Sequence, residues 1–444
     1  MMLSQELIDL IIDELSCDKT ALINVSSVSR SWVPRSRNHL FRTLRLLPFT
    51  RYGNRRYPIA RPVWTIEYHA RRFIDLCSHP HSTIPNAGPT HVEMTAGVFP
   101  MLSSRILAER RVSAFITLLS WLSEKHEIPG GERGLTQTNA HRLFWNVRHL
   151  TLSCVGSGES IEWLESVFLL SPFPRVTRLT IDGEYQVFRS RQSFSDVVSS
   201  FTSLKQLSIQ TAFRLIPVFE RSSIDVSFPL SLTHIEVPAP LTSLEILKSC
   251  STLHQLTIII RLPVVESECI AINQFLESSA AVRDMRLKHC KLVLRSSEVP
   301  VQPGVIDGLS RLIHFNKVQS WTIDADCKAF VGGHSATMPN ATTFVLRNPE
   351  MIRPFPGVTT ELDGQLSELV RFPGLRVVEI PIFKSFNNSL LEGSGWDEVE
   401  GTVREGSEAH RAMDELAEKS RSMLPKCNKK GLLKVTSVYH PMYS

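Results

Sequence analysis

Val147-Arg148-His149-Leu150-Thr151-Leu152 and, 29 residues on, Val176-Thr177-Arg178-Leu179-Thr180-Ile181 share one pattern, apolar-x-x-apolar-x-apolar. The same spacing recurs at Leu204/Leu207/Ile209, Leu232/Ile235/Val237, Leu253/Leu256/Ile258, Val282/Met285/Leu287, Val318/Trp321/Ile323, Ala341/Phe344/Leu346 and Leu375/Val378/Ile380. After that first step, successive starts lie 28, 28, 21, 29, 36, 23 and 34 residues apart. The second and third apolar positions alternate with polar ones, as in a strand with one buried face. Amphipathic helical stretches fall between the strands, at Ile161–Leu170, Phe194–Phe201 and Ile270–Leu276. Strand, loop and helix at this period predict an α/β chain in which each unit buries its face against the next. Phe41/Leu44/Leu46 fits the template near the N-terminus, and Leu433–Tyr439 reads as a last strand.

The residues before the first strand are patterned differently. Ser4 is placed to cap a helix carrying Leu7, Ile8, Ile11, Ile12 and Leu15 at helical spacing. Asp18 caps a second helix with Ala21, Leu22, Val25 and Val28, and Pro34 suits the first turn of a third. Three short helices make a very small core, and such a unit leans on a partner or a neighbour.

Leu3-Ser4-Gln5-Glu6-Leu7-Ile8-Asp9-Leu10-Ile11-Ile12, then Val28-Ser29-Arg30-Ser31-Trp32, then His39-Leu40-Phe41-Arg42, resembles an F-box. The resemblance implies docking to a Skp-type adaptor and, through it, to a cullin–RING ubiquitin ligase. It implies adaptor contacts through Leu3, Leu7, Ile8, Ile11, Leu15, Leu22, Val28 and Trp32. Leu3-Ser4 stands where the family usually carries Leu-Pro. The strand region in turn resembles an irregular series of leucine-rich repeats. One unit, Val282 to Leu292, completes the fuller repeat pattern and places Cys290 at its buried ladder position. The fold expected is therefore α/β: a short N-terminal three-helix F-box followed by an irregular leucine-rich-repeat-like solenoid. The expected division is residues 1–46 for the helical domain, 47–140 for a linker and bridging helix (Ser104–His126), 141–390 for the repeats, and 391–444 for a loop, charged helix and tail. Residues 48–104 show no clear period.

Composition narrows the function classes. The chain has 444 residues, 42% hydrophobic and 21% charged, which is ordinary for a globular protein and excludes wholesale disorder. No stretch approaches the ~20 apolar residues of a membrane helix, so no membrane partner is expected. Glu6, Asp9, Asp13 and Glu14 interrupt the first apolar run, so no secretory leader is expected. Eight cysteines show no CxxC or finger spacing and read as free thiols in a reducing compartment, cytoplasmic or nuclear. Arg30 to Arg72 holds eleven arginines, no lysine and one acid, Glu67, giving 11 − 1 = +10, so the remainder of the +5 chain carries 5 − 10 = −5. Arg51, Arg55, Arg56 and Arg61, near Tyr52, Tyr57 and Trp64, offer a nucleic-acid surface as a rival reading. A third reading keeps the F-box likeness but makes the chain a protein-interaction scaffold outside any ligase.

Catalytic signatures are sparse. There is no GxSxG elbow, P-loop or GxGxxG. Gly130-Gly131-Glu132-Arg133-Gly134 reads as a turn, and His79-Pro80-His81 lacks a third metal ligand at a recognisable interval. His289-Cys290 is an adjacent pair whose cysteine has a structural role in the repeat. The expectation is a protein that is not itself an enzyme, holds no cofactor or metal, and binds an unknown target protein.

Overall fold

A computed structural model describes residues 4–16, 18–46, 64–79, 88–96, 117–118, 120–127, 136–154, 173–183, 191–209, 228–238, 247–262, 272, 274–296, 318–326, 340–347, 356–367, 372–384, 396–397, 402–403 and 408–439. The chain divides into two compact units, Met1–Leu232 and Thr233–Ser444. The first opens with helices α1 (Gln5–Glu14), α2 (Lys19–Ser26) and α3 (Val33–Leu40). Strands β1 (Thr43–Leu46), β2 (His91–Ala96), β3 (His149–Cys154), β4 (Arg178–Gly183) and β5 (Gln206–Ile209) follow. They pair in parallel in the order given, β1 with β2 through to β4 with β5. Helices α4 (Trp64–Ser78), α5 (Asn139–Phe144) and α6 (Arg191–Ser200) lie along the crossovers that parallel pairing demands.

The second unit repeats the arrangement. Strands β6 (His234–Pro238), β7 (Gln255–Leu262), β8 (His289–Ser296), β9 (Ser320–Asp326), β10 (Ala341–Arg347), β11 (Val377–Lys384) and β12 (Leu433–Tyr439) again pair in parallel in chain order. Helices α7 (Ala280–Arg283), α8 (Pro356–Ser367), α9 (Glu408–Met423) and α10 (Pro425–Lys429) accompany them. The molecule is α/β, as expected.

The six-residue pattern places its apolar side chains in one buried layer. Val92, Leu150, Leu179 and Leu207 are lateral neighbours across β2 to β5, and all four are fully buried. Ile235, Leu256, Cys290 and Trp321 form the matching row across β6 to β9. Each such aliphatic side chain contributes roughly 1.5–3 kcal/mol by leaving water. Just before several of the strands a single carbonyl accepts two successive N–H groups of the next segment. Thr90 O takes Arg148 N and His149 N at 2.8 and 3.1 Å, Arg148 O takes Thr177 N and Arg178 N, and Thr177 O takes Lys205 N and Gln206 N. Thr233 O and His254 O do the same in the second unit. This repeated bond fixes where each of those strands begins against its neighbour.

Three expectations need correction. The unit read as Val282/Met285/Leu287 is shifted by five residues: the strand is β8, and Leu287/Cys290/Leu292 supply its buried positions. Val282 belongs to α7, and Met285 follows that helix with φ +54 and 80% exposure. Met285 N donates to Val282 O and Arg286 N to Ala281 O, the Schellman closure that usually carries glycine at the left-handed position. Cys290 thus sits within the strand, not at a ladder position after it. The second correction concerns 48–104, where α4 and β2 break the supposed aperiodic stretch. Pro89/Val92/Met94 fits the template with proline at its first position, which is why the repeat escapes notice there. Third, the bridging helix ends early: Lys125–Glu127 pairs antiparallel with Thr136–Thr138, so 125–126 are strand.

Candidate docking surface on the N-terminal helices

The three helices share an apolar cluster of three buried side chains, Ile8, Ile12 and Leu22, with Leu15, Val25, Trp32 and Leu40 partly buried against it. Each helix starts where the sequence says it does. Ser4 Oγ accepts from Leu7 N at 3.4 Å and Asp18 Oδ1 from Ala21 N at 2.8 Å. Pro34 sits in the first turn of α3, and the buried Ser36 hydroxyl donates to Trp32 O at 2.9 Å. Asp13 on α1 accepts a side-on pair of bonds from Arg35, at 2.7 Å from Nε and 2.6 Å from Nη2. The same carboxylate meets His39 Nε2 at 2.8 Å. The Arg35 hydrogen bonds, helped by His39, hold the Asp13 carboxyl down at about 2.

Of the eight residues assigned to adaptor contact, the structure separates two groups. Leu7, Ile11 and Val28 are exposed by 50%, 40% and 66%. Ile8 and Leu22 are interior, and Leu15 and Trp32 pack against them. Leu3 lies outside the described residues. Leu10 and Ile23, exposed by 59% and 58%, are further exposed apolar side chains that were missed. The missed signal was stripe width: Leu7, Leu10 and Ile11 stand on a different side of α1 from Ile8 and Ile12, more apolar girth than a three-residue core uses. Five large apolar side chains, from α1, α2 and the turn before α3, are therefore exposed to solvent.

The strands carry a second feature, on the face opposite the buried layer. His91 and His149 occupy equivalent positions on β2 and β3 and stack at 4.1 Å, 4° from parallel. His91 Nε2 meets Thr151 Oγ1 at 3.1 Å, and His149 Nε2 meets Thr180 Oγ1 at 3.1 Å. His289 is held similarly, Nδ1 at 2.8 Å from Ser320 Oγ and Nε2 at 3.3 Å from Thr322 Oγ1. Nearby, Lys291 Nζ reaches the buried Asp324 carboxylate at 2.8 Å. Burial first, then the His91 and Arg178 charges, push the His149 pKa down to about 4. The folded value is below the unfolded one of about 6.5, so the associated stability is present above pH 6.5 and is lost as pH falls through 4. Solvent reaches part of the ring and screens it, so we expect a loss on the order of 2 kcal/mol between pH 7 and pH 4 from this residue. Urea titrations at both pH values check it: His149→Asn should show a smaller acid loss than wild type, and equal losses would refute the assignment.

Other sequence candidates do not converge. His289 and Cys290, being successive strand residues, point to opposite faces and form no nucleophile–base pair. Burial drives the Cys290 thiol well above its ordinary range. Among the described residues no three His, Cys, Asp or Glu side chains are grouped to hold a metal ion. The Gly130–Gly134 turn, His81, Arg51, Arg55, Arg56 and Arg61 lie outside the described residues. Arg71 and Arg72 are exposed on α4. Among the described residues no helix is long and apolar enough to cross a membrane. No protein-family model matches the chain, and no curated protein matches it in sequence.

Proposed function

We propose that the chain is a substrate-recognition subunit of an SCF-type cullin–RING ubiquitin ligase, working in the cytoplasm or nucleus. Its N-terminal helices act as an F-box that docks a Skp-type adaptor. The parallel strands act as an irregular leucine-rich-repeat solenoid whose polar face receives a target protein. Ubiquitin transfer is performed by other subunits, and this chain raises the local concentration of target beside them. The observation that carries the reading is the set Leu7, Leu10, Ile11, Ile23 and Val28. Apolar side chains left outside so small a core are what an obligate partner would cover. The Ser4 cap supports it too, since α1 begins properly without the family's proline. The strand region contributes chain-ordered parallel pairing and, opposite the buried layer, the half-exposed polar side chains of His91, His149, Glu236, Lys291 and Glu379.

The structure also changes how docking should be tested. Charges at Ile8 would unfold the module and mimic lost binding, so the exposed positions are the informative ones. Leu7→Asp with Ile11→Asp is expected to weaken association with a purified Skp-type adaptor at least about 100-fold, as for removal of central apolar anchors. Far-UV circular dichroism should stay at its wild-type value. Wild-type chain that fails to co-purify with the adaptor, or a double variant that binds normally, would overturn the proposal.

A further inference from the structure

We infer that Asp13 is a positioning residue for the docking surface, a single carboxylate that sets α1 against α3 and so fixes the relation between the two halves of the apolar face. The inference rests on the docking reading above and concerns the geometry of that same face.

The exposed apolar side chains come from different elements. Leu7, Leu10 and Ile11 come from α1, whereas Ile23 comes from α2 and Val28 from the turn leading into α3. A rigid partner meets all five only if α1 keeps a fixed angle to the α2–α3 pair. The apolar contacts between these helices come from a very small set, Ile8, Ile12 and Leu22 with their four half-buried neighbours. Such contacts are non-directional and tolerate sliding. A side-on guanidinium–carboxylate pair does not, because both N–H vectors and both oxygens must stay coplanar.

Asp13 has that geometry and a further constraint. Its Oδ1 also meets His39, one turn beyond Arg35 on α3, so a carboxylate on α1 is tied to two points along α3. Two attachments one turn apart restrain rotation as well as distance. Asp13 lies just beyond the docking residues on α1 and faces α3, not the apolar stripe, so it acts through Leu7, Leu10 and Ile11 and needs no contact with the adaptor. No apolar periodicity signals the tie, because its partners are 22 and 26 residues away.

The experiment compares full-length wild type, Asp13→Asn, Arg35→Lys and the reversed pair Asp13→Arg/Arg35→Asp. Adaptor affinity is measured by calorimetry, and helicity by circular dichroism at the same temperature. Asp13→Asn is expected to bind about tenfold more weakly with unchanged helicity, the scale of a lost directional pair. Arg35→Lys, which keeps the charge and loses the fork, should fall between, and the reversed pair should regain affinity over Asp13→Asn. If wild type binds and Asp13→Asn binds equally well, the inference is wrong while docking stands. If affinity and helicity fall together in every variant, the carboxylate merely maintains the fold and the inference is again wrong. If wild type itself does not bind the adaptor, the docking reading fails and takes this inference with it.

Discussion

Trp321→Ala is expected to destabilise the Thr233–Ser444 unit by about 3–5 kcal/mol, the range for emptying a large aromatic site in a packed core. Trp321 is among the largest wholly buried side chains of the described residues. Its lateral neighbours on the two adjoining strands are Cys290 and Ala341, both small. The indole therefore fills the width that two short side chains leave, and deleting it opens a void that neither neighbour can occupy. Backbone pairing on both sides holds the strands apart and prevents collapse. Urea denaturation followed by circular dichroism is the check, with Trp321→Phe expected to cost less than half as much. A midpoint unchanged in Trp321→Ala would show that the indole is not part of the packed layer.

The six-residue pattern picked out Trp321 as a strand-interior position, and the structure agrees. What the pattern could not give is its partner. Aligning templates puts Trp321 beside Phe344, two bulky rings in one row. In the sheet Trp321 pairs with Ala341, the register slips between Trp321 and Thr322, and Phe344 pairs with Ile323. Spacing along a chain reports which face a residue occupies and is blind to a bulge in the neighbouring strand. The Met285 error has a related origin. Val282-x-x-Met285-x-Leu287 satisfies the template by composition, yet the helix closure at Met285 is a hydrogen-bonding property that apolar spacing does not encode. On the N-terminal helices, the stripes located α1 and α2 correctly but did not separate interior from surface. Ile8 and Ile11 look alike in sequence, and only the angle at which α1 meets its neighbours distinguishes them.

The second large effect is expected at Asp363. Its buried carboxylate accepts from Lys426 N at 2.8 Å and Cys427 N at 2.9 Å, satisfying the first turn of α10 from 63 and 64 residues away. The C-terminal end of α10 closes by the Schellman pattern, Gly431 at φ +69 with Gly431 N bonded to Asn428 O and Leu432 N to Cys427 O. That closure delivers the chain into β12, and Lys430 Nζ adds a bond to Ser367 O at 2.6 Å. Asp363→Ala leaves one buried amide donor, Cys427 N, and one partly buried one, Lys426 N, without their acceptor. The expected destabilisation is about 1–3 kcal/mol, the cost of one buried unmet amide, Cys427 N, the Lys426 amide being only partly buried. Amide exchange localises it: Leu433–Tyr439 should exchange faster, while β7 and β8 keep their protection until global unfolding. Exchange in β12 no faster than in wild type would count against Asp363 as its anchor.

Strand order has a last consequence, for how such a chain tolerates change in length. In each unit the strands of the parallel sheet follow one another in chain order, short antiparallel pairs such as Lys125–Glu127 with Thr136–Thr138 lying in the crossovers, and the paired carbonyl bonds join only adjacent sheet strands. Lengthening one crossover therefore displaces no other pairing. The closure penalty grows by only about 0.6 kcal/mol for each doubling of a loop. Intervals as different as 21 residues from Leu232 to Leu253 and 34 from Ala341 to Leu375 coexist for that reason. A whole strand and crossover could be duplicated or deleted with only the two flanking seams to repair, so the polar face can be widened or narrowed by gene-level editing without redesigning what remains.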